Sequence, residues 1–367
     1  MQLKSHRGFK LRSISIAIAL LAQPIVGATF APNAWADPNI RGIPDFQLEH
    51  PSNSLPEFIL GPTCLSMVAG PMDLDCNPAF LATEKKRQFR ADVSFNDKVK
   101  QVNDYREKVE SGDSAGIADS ILGNRDPNIA QASTALWYQR DWLAVGYVPI
   151  RAGLATLVQN QAYPDISADV YKESEFFAKA GYQLPDDPHV KVGLQARYVQ
   201  RDYFYKEFAA FDAASDPSII AVQQQKILFL EPGVSYVFDG DWASAISGTV
   251  TNLPIYAEGS TPFEPVFDVG FSTTPPFADG KFRTSTHITE NPEIQDFFKI
   301  FRWGAIYDFD THASVSMSIA KDEFGVGVNG HIESLVLGVG YKTQQISSSD
   351  WDSSQVSTYL FEAGLVF

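Results

Sequence analysis

The feature that most constrains this chain is a period of two that returns from Arg87 to the C-terminus. Phe89, Ala91, Val93 and Phe95 alternate with Gln88, Arg90, Asp92 and Ser94. The same pattern recurs at Phe301, Trp303, Ala305 and Tyr307, at Ala313, Val315, Met317 and Ile319, and at Leu335, Leu337, Val339 and Tyr341. Such alternation makes strands with one apolar face. A soluble sandwich would turn that face into a core, whereas a membrane barrel turns it to lipid and keeps a polar interior. Three features favour the barrel. The alternate face is small and polar. Trp142, Trp242, Trp303, Tyr341 and Tyr359 fall near strand ends, where interfacial girdles belong. The third feature is the rhythm of the connections.

About fourteen strands (12–14) are expected, at 88–96, 132–139, 142–149, 174–184, 189–202, 226–238, 242–251, 265–273, 280–289, 301–309, 312–319, 323–329, 332–343 and 357–367. Short gaps at Arg140-Asp141, 185–188, 239–241, Pro275-Pro276, Asp310-Thr311 and Gly330 alternate with excursions at 97–131, 150–173, 203–225, 252–264, 290–300 and 344–356. Only Lys321-Asp322 breaks that rule. Outer-membrane barrels have short turns on one side and long loops on the other. The fold class expected is therefore all-β: a transmembrane antiparallel barrel over residues 87–367.

The two ends of the chain agree with export. Lys4, Arg7, Lys10 and Arg12 precede an apolar run, and Ala34-Trp35-Ala36 supplies small residues at −3 and −1, so 1–36 reads as a cleaved signal peptide. The last strand places Tyr359, Phe361, Ala363, Leu365 and the terminal Phe367 on one face, which resembles the signal that bacterial outer-membrane proteins present to the barrel-assembly machinery. Beyond residue 36 the chain holds 25 basic against 44 acidic residues, a balance that excludes a nucleic-acid partner. Cys64 and Cys76, the only cysteines, are expected to pair in an oxidising compartment.

Residues 37–86 are irregular, rich in Pro, Gly and Asn. They close on Asp75-Cys76-Asn77-Pro78-Ala79-Phe80-Leu81-Ala82, directly before the first alternating strand. This Asn-Pro-Ala-x-Leu-Ala stretch resembles the long-chain fatty acid transporter (FadL-like) superfamily, which includes relatives of conjugation and secretion systems. The resemblance implies that 37–86 is an N-terminal hatch, hinged around Asn77, Pro78 and Ala79, that plugs the barrel. This chain differs from the group in its Cys pair and its two Gly-Pro steps upstream of the motif.

Candidate binding residues lie toward the long excursions. Phe204, Phe208 and Phe211 share a helical face by 3–4 spacing, and Leu154 and Leu157 stand in the preceding excursion. Grouped, they would form an apolar groove for a lipid-like molecule. Arg197 and Arg201 share the polar face of one strand with Lys191 and Gln195. They are expected to pair with lumenal acids such as Asp92, Glu175 and Asp268, or to hold an anionic head. Residues 98–121 have the spacing of amphipathic helices.

Catalysis has little to stand on. His6, His50, His189, His287, His312 and His331 are well separated, so no helical or hairpin metal pair is expected. His312 and Ser314 share a strand face, which a hydrated lumen explains without a hydrolase. No phosphate loop is present, and no cofactor is expected. The chain is thus expected to reside in the outer membrane, with lipids as partners, and to take up a hydrophobic or amphipathic small molecule. The alternatives are a structural barrel of a secretion or conjugation assembly and a general porin.

Overall fold

The computed structural model describes residues 54–67, 74–82, 87–123, 128–159, 165–209, 222–259, 265–290, 301–309, 312–348 and 351–367. The segment 1–36 and the first part of the expected hatch, 37–53, lie outside the described residues.

One antiparallel sheet closes on itself. Its strands are β1 (Arg87–Asn96), β2 (Asn128–Arg140), β3 (Leu143–Gln159), β4 (Asp165–Gln183), β5 (Val190–Ala209), β6 (Gln223–Val237) and β7 (Ala245–Thr251). They continue with β8 (Pro254–Glu258), β9 (Val266–Thr273), β10 (Phe282–Glu290), β11 (Phe301–Phe309) and β12 (Ala313–Ala320). The last three are β13 (Glu323–Ile332), β14 (Leu335–Ser348) and β15 (Trp351–Val366). Closure comes from β1 pairing with β15, Gln88 opposite Val366 and Asn96 opposite Thr358. Because β7 and β8 both pair with β6, one beyond the other, fifteen strands occupy fourteen places in the wall. The seventh expected strand, 242–251, is thus the lower half of a broken one. Asn252 makes the break in a left-handed conformation at φ 55°, and Pro254, which cannot donate to a ladder, starts β8.

The alternation resolves inside out. Phe89, Val93, Val339 and Phe361 are 42–51 % exposed on the outer face, while Arg90, Asp92 and Glu362 on the inner face are at most 3 % exposed. A water-soluble sandwich would bury the first set.

Four connections differ from expectation. Excursions 150–173 and 344–356 shrink to 160–164 and 349–350, because β3, β4, β14 and β15 continue through them. Excursion 203–225 loses Tyr203 to Ala209 to β5, which stays in register with β4 as far as Ala209 opposite Asp165. Gly330 lies inside β13, and the turn falls at Glu333-Ser334, with Glu333 at φ 55°. At 19 and 20 residues, β4 and β5 far exceed the ~9–11 that cross a bilayer. Their surplus stands at the end that carries the longer connections, the loop end; the opposite rim is the turn end.

Helices α2 (Val99–Ser111) and α3 (Ser114–Gly123) fill the connection after β1, as the amphipathic spacing predicts. They pack against β2 and β3, burying Tyr105 and Ile117.

Candidate functional site: a plugged lumen

The described part of the segment before β1 lies inside the barrel. Its helix α1 (Leu55–Leu60) starts under a Ser54 cap whose hydroxyl accepts from the Glu57 N–H, and ends at Gly61, φ 52°. A 3-10 turn, Gly61–Ser66, follows, and a second, Pro78–Ala82, precedes β1. Cys64 and Cys76 are disulfide-bonded, Cα atoms 5.6 Å apart, tying the two turns together. Leu55, Phe58, Ile59 and Leu60 form a core with the disulfide and with Ile306 and Leu360 of the wall. Leu74 and Leu81 pack with Trp137, Ala144 and Phe177.

Two kinds of wall receive this plug. From β10 to β14 the middle of the inner face is small, between the pair Arg283–Asp308 toward the turn end and Arg302, Glu323 and Lys342 toward the loop end, and the plug comes right up to it. A Cβ on Gly340 would lie 2.8–3.0 Å from Leu55, Ile59 and Phe58. Ser285 donates to the Thr63 carbonyl at 3.0 Å, and Ser318 donates to that of Ile59. On β4, β5 and β6, Gly181, Gly193 and Gly233 are register partners in one row. Asn77, Pro78 and Ala79, the expected hinge, lie on that row; a Cβ on Gly193 would fall 2.2 Å from Pro78. Asn77 also accepts from the Ala79 N–H at 2.9 Å and donates to the Leu65 carbonyl at 2.9 Å.

Among the described residues no backbone hydrogen bond joins plug to wall. The ties run through side chains instead. Glu362 accepts from the Leu55 N–H at 3.2 Å, and Lys179 pairs with Glu57 at 2.7 Å. Ser66 Oγ lies 2.7 Å from His287 Nδ1, whose Nε2 is 2.9 Å from Asp268 Oδ1. This Ser–His–Asp chain, which no sequence spacing announces, resembles a hydrolase relay in connectivity only. All three side chains are buried, and a Cβ on Gly270 would strike Ser66 Oγ at 1.7 Å, so an acyl group has no room beside the hydroxyl. His312 and Ser314 make no comparable pair. His312 instead stacks on His331 at 5.0 Å across β12 and β13, a ring contact brought about by strand pairing. No group of three or more metal-ligating side chains occurs among the described residues.

Toward the loop end, β3 to β6 carry long charged side chains. Arg151 reaches Glu173 and Glu175, each at 3.1 Å; Arg197 reaches Glu175 at 3.1 Å and Glu231 at 2.8 Å; Arg201 reaches Glu173 at 2.8 Å. Glu175 was an expected partner. Asp268 is committed instead to His287 and Thr289. Arg197 also donates to Asn252 Oδ1 at 2.7 Å, and Glu231 accepts from the Asn252 N–H at 2.9 Å, so the ladder holds the break between β7 and β8.

The apolar candidates occupy the other face. Leu154 and Phe204 fall in a single register row, Ala130–Leu154–Val170–Phe204, across β2 to β5. Both are buried, on the face opposite Arg197 and Arg201, and neither belongs to a helix. The backbones of Leu157 and Phe208 are in β3 and β5, with side chains outside the described residues; Phe211 is wholly outside them. The 3–4 spacing of the phenylalanines misled because pairing with β4 extends β5 past Phe208. The structure is a closed antiparallel β-barrel.

No family model matches this chain, and neither does any curated protein sequence. Solved structures with a similar fold include the Pseudomonas putida toluene transporter TodX (8 % identity, 79 % of this chain and 92 % of that one, TM-score 0.45). The Ralstonia pickettii toluene transporter TbuX is similar at 12 % identity, over 88 % and 98 % of the two chains, TM-score 0.44. Outer membrane phospholipase A from Escherichia coli is similar at 9 % identity, over 77 % and 92 %, TM-score 0.34. These likenesses concern barrel architecture and leave the cargo to be argued from the site.

Proposed function

We propose that this chain is an outer-membrane barrel for passive uptake of a hydrophobic or amphipathic small molecule. The apolar outer belt around a polar, enclosed interior supports placement in a membrane. The observation that carries the uptake reading is how the plug is held: it fills the lumen yet shares no backbone ladder with the wall among the described residues. Side-chain hydrogen bonds contribute only about 0.5–1.5 kcal/mol each, so the plug can leave its seat while the sheet stays whole. The row through Leu154 and Phe204, raised at the loop end, is apolar and buried, and in this reading an arriving solute takes the place of what covers it. Arg197 and Arg201 act in this reading as struts of the wall, and Asn77-Pro78-Ala79 as the part of the plug that lifts. The test is uptake of a hydrophobic dye or toluene into liposomes, with Leu154→Asp and Phe204→Asp variants that retain a heat-modifiable barrel. Uptake should fall to that of empty liposomes; uptake at the wild-type rate defeats the reading.

One observation favours a second reading, a structural barrel of a secretion or conjugation assembly. With the plug seated, the space left beside it is a cavity of about 50 Å³, too small for a solute such as toluene. That reading predicts no dye uptake by the wild type at all.

A further inference from the structure

The plug does not meet its wall equally on all sides. Between its two anchored zones lies the cavity of about 50 Å³. Gln195, Arg197, Glu231, Thr249 and Thr251 form its wall side, and Gly61 and Cys76 belong to its plug side. The wall side is polar throughout. Thr249 is 5 % exposed, and its Oγ1 has no hydrogen-bond partner among the described residues. A buried hydroxyl left unpaired costs about 1–3 kcal/mol, and a water beside it removes that cost. At roughly 10–15 Å³ per water, the space holds about three to five molecules. On the opposite side, Ser285 and Ser318 spend their hydroxyls on plug carbonyls, and the glycines there leave no gap.

We infer that a hydrated seam, open to water and to solutes no larger than a few heavy atoms, runs between the seated plug and β5–β7, while the seat of Ile59 and Thr63 on β10, β12 and β13 is dry. The seam ends at the wall break, since Arg197 and Glu231 both line it and hold Asn252. Water therefore reaches the charged groups that fix the broken strand without the plug leaving. Apolar solutes, for which the seam is both too narrow and too polar, stay out until the plug moves. The inference does not depend on cargo, because it concerns the seated state.

The test uses the full-length, oxidised protein, in which an introduced cysteine is the only thiol. Thr249→Cys and Ser318→Cys variants are purified as heat-modifiable barrels and treated with hydrogen peroxide, small enough for the seam; oxidation of the introduced thiol is followed by the mass of the peptide that carries it. Thr249→Cys should react about tenfold or more faster than Ser318→Cys, because access and thiolate formation both need water. Thr251→Cys, also on the cavity, should behave like Thr249→Cys and replaces it if that variant does not fold. Equal rates, fast or slow, or a faster Ser318→Cys, overturn the seam. Dye uptake measured on the wild type is a separate result, so failure of uptake and failure of the seam are distinguishable.

Discussion

The two halves of the lumen solve the same problem by opposite means. From β3 to β6 the inner face carries arginines and glutamates long enough to reach one another, so the wall is braced by its own side chains. From β10 to β14 the middle of that face carries serine and glycine, with Arg283–Asp308 toward the turn end and Arg302–Glu323–Lys342 toward the loop end, and the plug's helix supplies the missing volume between them. The difference teaches that the plug packs on both halves in different ways, filling volume for one with its helix and resting Asn77 to Ala79 on the glycine row of the other. Loss of the plug should therefore weaken β10–β14 more than β3–β6.

The largest effect should come from cutting the ladder. Glu175 is shared by Arg151 and Arg197, so Glu175→Gln leaves three buried guanidinium groups, of Arg151, Arg197 and Arg201, to the two carboxylates of Glu173 and Glu231. Removing one partner of such a pair costs about 3–5 kcal/mol. The midpoint of barrel unfolding in guanidinium should drop, with the plug still protected from protease while the barrel is folded. Next is Ile59→Ala, which empties the contact between plug and small-residue wall and should cost about 2–5 kcal/mol. Here the order reverses: proteolysis of the plug should rise before the barrel unfolds. If both variants gave the same sequence of events, the contrast between the halves would be lost.

A third variant sharpens the point from within the plug. Replacing Cys64 and Cys76 by alanine frees a short loop and should cost about 2–3 kcal/mol. The loss should appear in plug protection, since the disulfide joins the two turns and touches no barrel strand pairing. The smallest effect lies outside the lumen altogether. Burial pushes the Tyr105 phenol up to about 12, because the ionised form would be stranded beneath α2. A raised value favours the neutral form in the folded state, so this stabilisation is complete below pH 10 and is lost as pH rises toward 12. Ultraviolet absorbance should show phenolate appearing as α2 leaves β2, with Tyr105→Phe removing that step.

Much of this fold can be read from the residues. Every expected strand has a counterpart, since alternation at Phe89–Phe95 or Tyr359–Leu365 has only one outcome once the ends are joined. What escaped has physical reasons. The 3–4 spacing of Phe204, Phe208 and Phe211 also fits the face alternation of a strand at two of the three positions, and only pairing with β4 decides between them. The break at Asn252 was signalled by Pro254, a residue that a central strand excludes. The seat of the plug had a signal too: Ile306 stands between Gly304 and Asp308, and Leu360 between Thr358 and Glu362, on their strands' inner faces, and both meet the plug core. Ser66, His287 and Asp268 had none, because 221 residues separate the first two and only barrel closure brings them together.

The central claim is that the apolar side of every strand meets lipid and the polar side encloses the plug. Spin labels placed singly along β1 and β15, at Gln88, Phe89, Asp92, Val93, Phe361 and Glu362, test it in reconstituted bilayers through accessibility to oxygen. Labels at Phe89, Val93 and Phe361 should report the high oxygen access of acyl chains, with Gln88, Asp92 and Glu362 shielded. Accessibility without a two-residue period, or with the two sets exchanged, would contradict the account.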